Sequence, residues 1–189
     1  MSYFKYSRQK LFIENTSVLN IIKKNKTPFY LYSAKQIKEN YINFAKTFKN
    51  VNPLICFAAK ANTNLAIMRM LGKLGSGADV VSGGELLKAL KAGIKPSKIV
   101  FSGVGKTEEE LKLAIKNKIL LINVESESEA VLVNNIGKNY NKIISIGFRI
   151  NPNIDAKTHK KISTGKAENK FGISIKNFFS FYKKIKKFK

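Results

Sequence analysis

Residues 54–64 read LICFAAKANTN: an apolar run from Leu54 to Ala59 ends on a lysine, Lys60, and passes at once into the polar residues Asn62, Thr63 and Asn64. The run has the length of a buried strand, and the residues that follow, Leu65 to Leu74, carry their apolar side chains at helical spacing. A buried strand, a polar turn and an amphipathic helix in that order form the repeating unit of parallel α/β sheets and barrels.

The unit recurs toward the C-terminus. Further apolar runs lie at Ala78 to Val81, Ile99 to Ser102, Ile119 to Val124 and Ile143 to Ile150, with helical stretches near Glu85 to Ala92, Glu108 to Asn117 and Glu127 to Ile136. Four helix starts carry the pattern Ser/Thr-x-x-Glu/Gln, in which the first and last side chains satisfy each other's exposed backbone amides. They are Ser33 to Gln36, Ser82 to Glu85, Thr107 to Glu110 and Ser126 to Glu129. Three of them directly follow a predicted strand, so they mark the strand-to-helix edge where α/β folds place their chemistry. The pattern predicts about five parallel strands, whereas a complete eight-stranded barrel takes about 250 residues. Residues 1–32 read as an irregular arm ending in a short strand, PFYLY, and a helix is expected from Ser33 to about Phe48. Residues 33–189 read as an incomplete barrel domain. The polar segment Asn151 to Gly172 is too long for a routine connection. The tail FFSFYKKIKKFK reads as a basic amphipathic helix with a solvated face over a core.

Composition narrows the classes. The 189 residues are 44% hydrophobic, enough for a buried core. No apolar run reaches the roughly 18 residues of a membrane span, and the first twenty residues lack the apolar region of a secretory signal, so a soluble cytoplasmic protein without a membrane partner is expected. Cys56, the single cysteine, sits in an apolar stretch and reads as a small buried hydrophobe. The formal charge of +23 raises the question of nucleic acid. Only Arg8, Arg69 and Arg149 among the thirty-five basic residues are arginines, and the lysines are spread over every predicted helix, which argues against a dedicated, specific nucleic-acid surface. His159 is the sole histidine, which removes any multi-histidine metal site.

Two motifs bear on chemistry. Gly103 to Thr107, GVGKT, follows a strand like the end of a phosphate-binding loop, but the glycine required five positions before Gly105 is replaced by Val100, so a nucleoside-triphosphatase is excluded, while a phosphate or carboxylate resting on this helix N-terminus stays open. Lys60 ends an apolar strand at the mouth of the predicted sheet. Desolvation disfavours an ammonium ion, and a neutral amine is what attacks an aldehyde; the plain alternative is a lysine snorkelling into solvent.

The wording around Lys60 resembles the cofactor-lysine signature of the fold type III pyridoxal-phosphate decarboxylases. The resemblance continues in order through GADVVSGGEL, IVFSGVGKTEEEL, INVESESE and RINPNIDAKTHKKISTGKAENKFGI, and covers nearly everything from Thr27 to Gly172. His159, Ile162 to Gly165 and Lys170 to Gly172 are similar to diaminopimelate decarboxylases, and less like ornithine-type enzymes. Departures are mild: Cys56 and Ala59 stand where bulkier residues are usual, and Lys160-Lys161 replace a more apolar pair.

This resemblance implies an alanine racemase-like (β/α)8 TIM-type barrel, of which about five of eight strands and no C-terminal β domain are present. It implies pyridoxal 5'-phosphate as cofactor, an amino-acid substrate, a homodimer with active sites at the interface, and decarboxylation of meso-diaminopimelate to L-lysine. Matched residue by residue, Lys60 would form the Schiff base with the cofactor. Asp79 and Glu85 align with acidic residues near it, Asp79 being equally readable as a turn residue and Glu85 as a cap. Arg149 aligns with an arginine at the barrel mouth, and His159 is left with a loop contact. The stacking histidine and the phosphate loop of the family belong to a second half, so the chain is expected to be inactive alone, as a fragment, a truncated gene product or half of a split enzyme. Decarboxylation of arginine, ornithine or carboxynorspermidine, and a non-catalytic basic nucleic-acid-binding module, remain as alternatives.

Overall fold

The computed structural model describes residues 3–48, 50–154, 171–186 and 188, which fall into two compact units, Met1–Pro53 and Leu54–Lys189. His159, Lys160-Lys161, the Ile162 to Gly165 run and Lys170 lie outside the described residues.

The first unit corrects the reading of an irregular arm. Strands β1 (Phe4–Ser7), β2 (Lys10–Ile13) and β3 (Thr16–Ser17) form an antiparallel meander, followed by a short helix α1 (Val18–Ile22). Ser7 pairs with Lys10 across a two-residue turn in which Arg8 and Gln9 both take positive φ, 47° and 58°. That geometry matches the right-handed twist of a hairpin, although it is more usually built from Asn-Gly. The expected strand at PFYLY is absent: residues 28–32 pair with no described strand, Pro28 has no amide hydrogen to offer, and Tyr30 is 90% exposed.

Helix α2 (Ala34–Lys46) starts where expected, with Ser33 Oγ accepting from the Gln36 amide at 3.0 Å. The reciprocal partner is Glu14, not Gln36. Its Oε1 accepts from Ser33 Oγ at 2.8 Å and from the Lys35 amide at 3.0 Å. These two donors, the Lys35 amide first, hold the Glu14 carboxyl below its ordinary range.

The second unit is a five-stranded parallel sheet of β4 (Cys56–Ala58), β5 (Gly77–Val80), β6 (Ile99–Phe101), β7 (Leu121–Val124) and β8 (Ile146–Phe148). Helices α3 (Leu65–Lys73), α4 (Gly83–Lys91), α5 (Glu108–Lys116) and α6 (Glu127–Asn139) connect them in turn. Strand order follows chain order. A doubly wound sheet reverses direction at a switch point, whereas a barrel adds each strand beside the last. The fifth strand is shorter than the apolar run predicts, since Ile143 is fully exposed and only Ile146–Phe148 pair.

Register and burial assign the two faces of the sheet. Ala78, Val80, Ile99, Phe101, Ile122 and Val124 are fully buried, and so are the helix residues Met68, Leu86, Leu111 and Ala114 of the same core cluster. Intervening residues such as Asp79, Val100, Leu121 and Asn123 are only half-buried on the opposite, concave face. Gly77 lacks a side chain for a packing reason: a Cβ there would lie 2.2 Å from the Lys98 carbonyl oxygen. Beyond β8, β9 (Ile150–Asn151) pairs in parallel with β10 (Ile173–Ser174), which leads into α7 (Ile175–Ile185). The tail helix has a packed side, as expected: Phe181 is buried edge-on against Phe148, with ring centroids 5.4 Å apart. No described helix is long and apolar enough to cross a membrane.

Of the four predicted caps, only Thr107 and Glu110 close the full reciprocal box. Glu110 goes further. One of its oxygens accepts from the Thr107 amide at 3.0 Å, and the other from the Gly83 amide at 2.7 Å, stitching the start of α4 to the start of α5. These bonds, the Gly83 one first, hold its carboxyl below the ordinary value of 4.5. A lowered folded value means that the stabilisation is present above the ordinary range and is lost as pH falls through the lowered one. Glu110→Gln is therefore expected to cost about 1 kcal/mol at neutral pH. The penalty should shrink in urea titrations repeated at progressively lower pH; a constant penalty would remove the charge from this account.

Candidate functional site

Lys60, Asp79, Glu85 and Arg149 lie along the C-terminal edge of the sheet, where strands hand over to helices: Lys60 just after β4, Asp79 near the end of β5, Glu85 in the first turn of α4, and Arg149 just past β8. Lys60 sits in a single 3-10 turn, Ala59–Ala61, immediately after β4. Ala59 is fully buried and anchors the turn, and Asn64 caps α3 directly afterwards through the Ala66 amide at 2.9 Å. Lys60 itself is exposed, which corrects the expectation of a desolvated amine. Among the described residues no hydrogen bond or ion pair engages its Nζ. That leaves a free amine at the mouth of the sheet.

Asp79 faces the concave side of β5, with Ala58 and Val100 as its register partners. Its Oδ1 accepts from Ser102 Oγ at 2.6 Å, and Ser102 Oγ accepts from Asn123 Nδ2 at 3.0 Å. Glu85, in contrast, is committed to the backbone. Its Oε2 accepts from the Val81 amide at 2.9 Å while its own amide donates to Ser82 Oγ, so it fixes the turn between β5 and α4. The acid reaches one residue further back than a capping box does, and Glu129 repeats the arrangement on the Glu125 amide at 2.7 Å.

Arg149, just past β8, donates from an Nη to Glu125 Oε1 at 2.9 Å and lies 5.2 Å from the centroid of the Phe171 ring. The side chain of Glu125 is 8% exposed, and among the described residues its second oxygen, also buried, meets no hydrogen-bond partner. Glu125 also borders a cavity of about 390 Å³ shared with Gly172, Ser174 and Asn177. Gly172 has φ of 78°, and a Cβ on it would lie 2.7 Å from the Arg149 carbonyl oxygen, so the chain can return beside Arg149 only with glycine there.

The GVGKT segment does structural service. Lys106 is buried, and its Nζ donates to the carbonyls of Gly103 at 2.8 Å and Asn123 at 2.6 Å and to Glu129 Oε1 at 2.8 Å. An ammonium has three hydrogens, and all three are used. Nothing is left for a phosphate. Cys56 is likewise no nucleophile: burial, reinforced by the charge of Asp79, pushes its thiol above the ordinary range. No metal-ligand cluster occurs among the described residues.

Sequence reasoning missed Ser102, Asn123 and Glu125. Ser102 and Glu125 are polar residues directly after an apolar strand, the same signal that drew attention to Lys60, and Asn123 lies one residue before the end of β7.

Comparison with known proteins matches this geometry. The model of the pyridoxal-dependent decarboxylase family, pyridoxal binding domain, fits residues 34–189. The chain is 52% identical over 162 residues to the diaminopimelate decarboxylase of Helicobacter pylori strain J99, covering 86% of this chain and 40% of the relative. It is 46% identical over 174 residues to that of Aquifex aeolicus, covering 92% of this chain and 41% of the relative. The crystal structure of the M. jannaschii diaminopimelate decarboxylase in co-complex with L-lysine superimposes with a TM-score of 0.90 at 39% identity. That match covers 98% of this chain and 45% of the other. The chain thus spans less than half the length of these relatives, and its parallel sheet corresponds to the N-terminal part of their (β/α) barrel.

Proposed function

This chain belongs to the pyridoxal-dependent decarboxylases, and we propose from that premise that it holds pyridoxal 5'-phosphate through Lys60 and serves the decarboxylation of meso-diaminopimelate to L-lysine. The observation that carries the reading is the amine of Lys60, unengaged among the described residues, at the C-terminal edge of a parallel sheet, in a chain about half identical to diaminopimelate decarboxylases.

The residues present fit an aldehyde cofactor. Lys60 is exposed, and among the described residues its Nζ has no competing partner to break before condensing with a carbonyl. Asp79 offers its second carboxylate oxygen to the concave face, and Arg149, steadied by Glu125, presents a guanidinium suited to a carboxylate at the mouth. Glu85 contributes by fixing the turn that follows Asp79. Bound here, the cofactor supplies an electron sink for the pair left behind when carbon dioxide departs.

Substrate choice is tested by displacement. The full chain, loaded with pyridoxal 5'-phosphate, is treated with borohydride in the presence of candidate amines. Meso-diaminopimelate is expected to protect Lys60 from reductive trapping at concentrations where L-ornithine and L-arginine do not. Equal protection by all three would remove the substrate assignment. The same reading carries a homodimer, for which sedimentation of the loaded chain should return twice the mass of the chain; a monomer would count against it.

A further inference from the structure

We propose that Ser102 and Asn123 are positioning residues that lock the carboxylate of Asp79 toward the concave face, so that its second oxygen meets one donor group of the bound cofactor; the inference rests on the cofactor reading above. The side-chain nitrogen of Asn123 can only donate, so at 3.0 Å Ser102 Oγ must be the acceptor. The one proton of that hydroxyl is then free for the contact at 2.6 Å to Asp79 Oδ1, which as a carboxylate only accepts. The chain Asn123 to Ser102 to Asp79 therefore runs one way, and each bond polarises the next.

The backbone is shaped to hold this chain. Asn123 and Asp79 sit on the concave side of β7 and β5, and Ser102 leaves β6 between them with its amide bonded to the Val80 carbonyl at 2.8 Å. On the far side, Gly147 of β8 is the register partner of Asn123, and a Cβ there would lie 2.4 Å from Asn123 Oδ1. Four adjacent strands thus contribute to the placement of one carboxylate. With Oδ1 held by Ser102, Oδ2 of Asp79 takes no hydrogen bond among the described residues. It is the acceptor left over for a ligand beside Lys60, whose turn follows Ala58, the register partner of Asp79.

The test separates the lock from the cofactor reading. The chain contains only two aspartates, Asp79 and Asp155, so carboxyl-labelled aspartate gives two carbon-13 resonances, and Asp79→Asn assigns them. In the cofactor-free full chain at neutral pH, Ser102→Ala should displace the Asp79 resonance, and Ser102→Thr should restore it. Asn123→Asp, which adds a third resonance of its own, should displace that of Asp79 too, because a carboxylate at 123 captures the Ser102 proton. Unmoved resonances in both Ser102→Ala and Asn123→Asp overturn the proposal. In the second arm, pyridoxal 5'-phosphate should bind about fivefold more weakly to Ser102→Ala, as loss of one oriented hydrogen bond implies. Ser102→Thr should bind normally, and equal affinity across the three proteins also overturns the proposal. Were wild-type chain to take up no cofactor at Lys60, the functional reading would fail while the resonances still decided the lock.

Discussion

Lys60→Ala is expected to abolish the borohydride-stable adduct between this chain and pyridoxal 5'-phosphate. The chain has thirty-two lysines, so a cofactor that reacted with accessible amines indiscriminately would still label the variant. The expected selectivity has a structural source. Lys60 follows a strand of a rigid sheet, on a turn anchored by the buried Ala59, and its amine lies on the edge shared with Asp79 and Arg149. Fixed placement beside groups that orient a ligand raises effective concentration at one amine over all others. Peptide mapping after reduction measures the result. A wild-type adduct on any other lysine, or an adduct of unchanged yield in Lys60→Ala, would move the chemistry elsewhere.

The second large effect is on stability. Lys106→Met should destabilise the chain by about 3–5 kcal/mol, the usual cost of removing one partner from a buried ion pair. The side chains of Lys106 and Glu129 are 1% and 10% exposed, and the variant leaves the Gly103 and Asn123 carbonyls without their donor as well. Denaturant midpoints measure the loss, provided the slope of the transition is unchanged. Lys106→Met combined with Glu129→Leu should recover part of it, since replacing both charges costs less than stranding one. If Lys106→Met unfolds like wild type, the three bonds to its ammonium carry no net stability.

Much of this was legible in the sequence, for reasons that differ by element. The five strands of the main sheet announce themselves because parallel strands covered by helices need runs of apolar residues, and each of the first four runs here is followed by a polar turn and a capping residue. The N-terminal hairpin was not legible. Its strand FKYS is exposed throughout, KLFI is largely half-buried with no clear alternation, and its turn uses Arg8-Gln9 in place of glycine or asparagine. PFYLY misled in the opposite direction, because apolar and aromatic content marks a strand only if a partner edge is available. At the site, the position of Lys60 was readable, but its exposure was not, since burial depends on what packs over a turn. Lys106 resembled a phosphate-binding lysine because sequence cannot reveal that the carbonyls of Gly103 and Asn123 and the acid of α6 converge on it. The same holds for Ser102 and Asn123, whose meaning arises only when β5, β6 and β7 lie side by side.

The order of the strands also bears on how the chain is made. Because β4 to β8 pair strictly in the sequence in which they occur, every new strand finds its partner in the segment synthesised just before it, about twenty residues back. A ribosome can therefore extend this sheet from one side, each helix covering the preceding strands before the next emerges. At every stage one unpaired strand faces outward, and the growing edge is where a nascent chain of this kind is most exposed to mispairing.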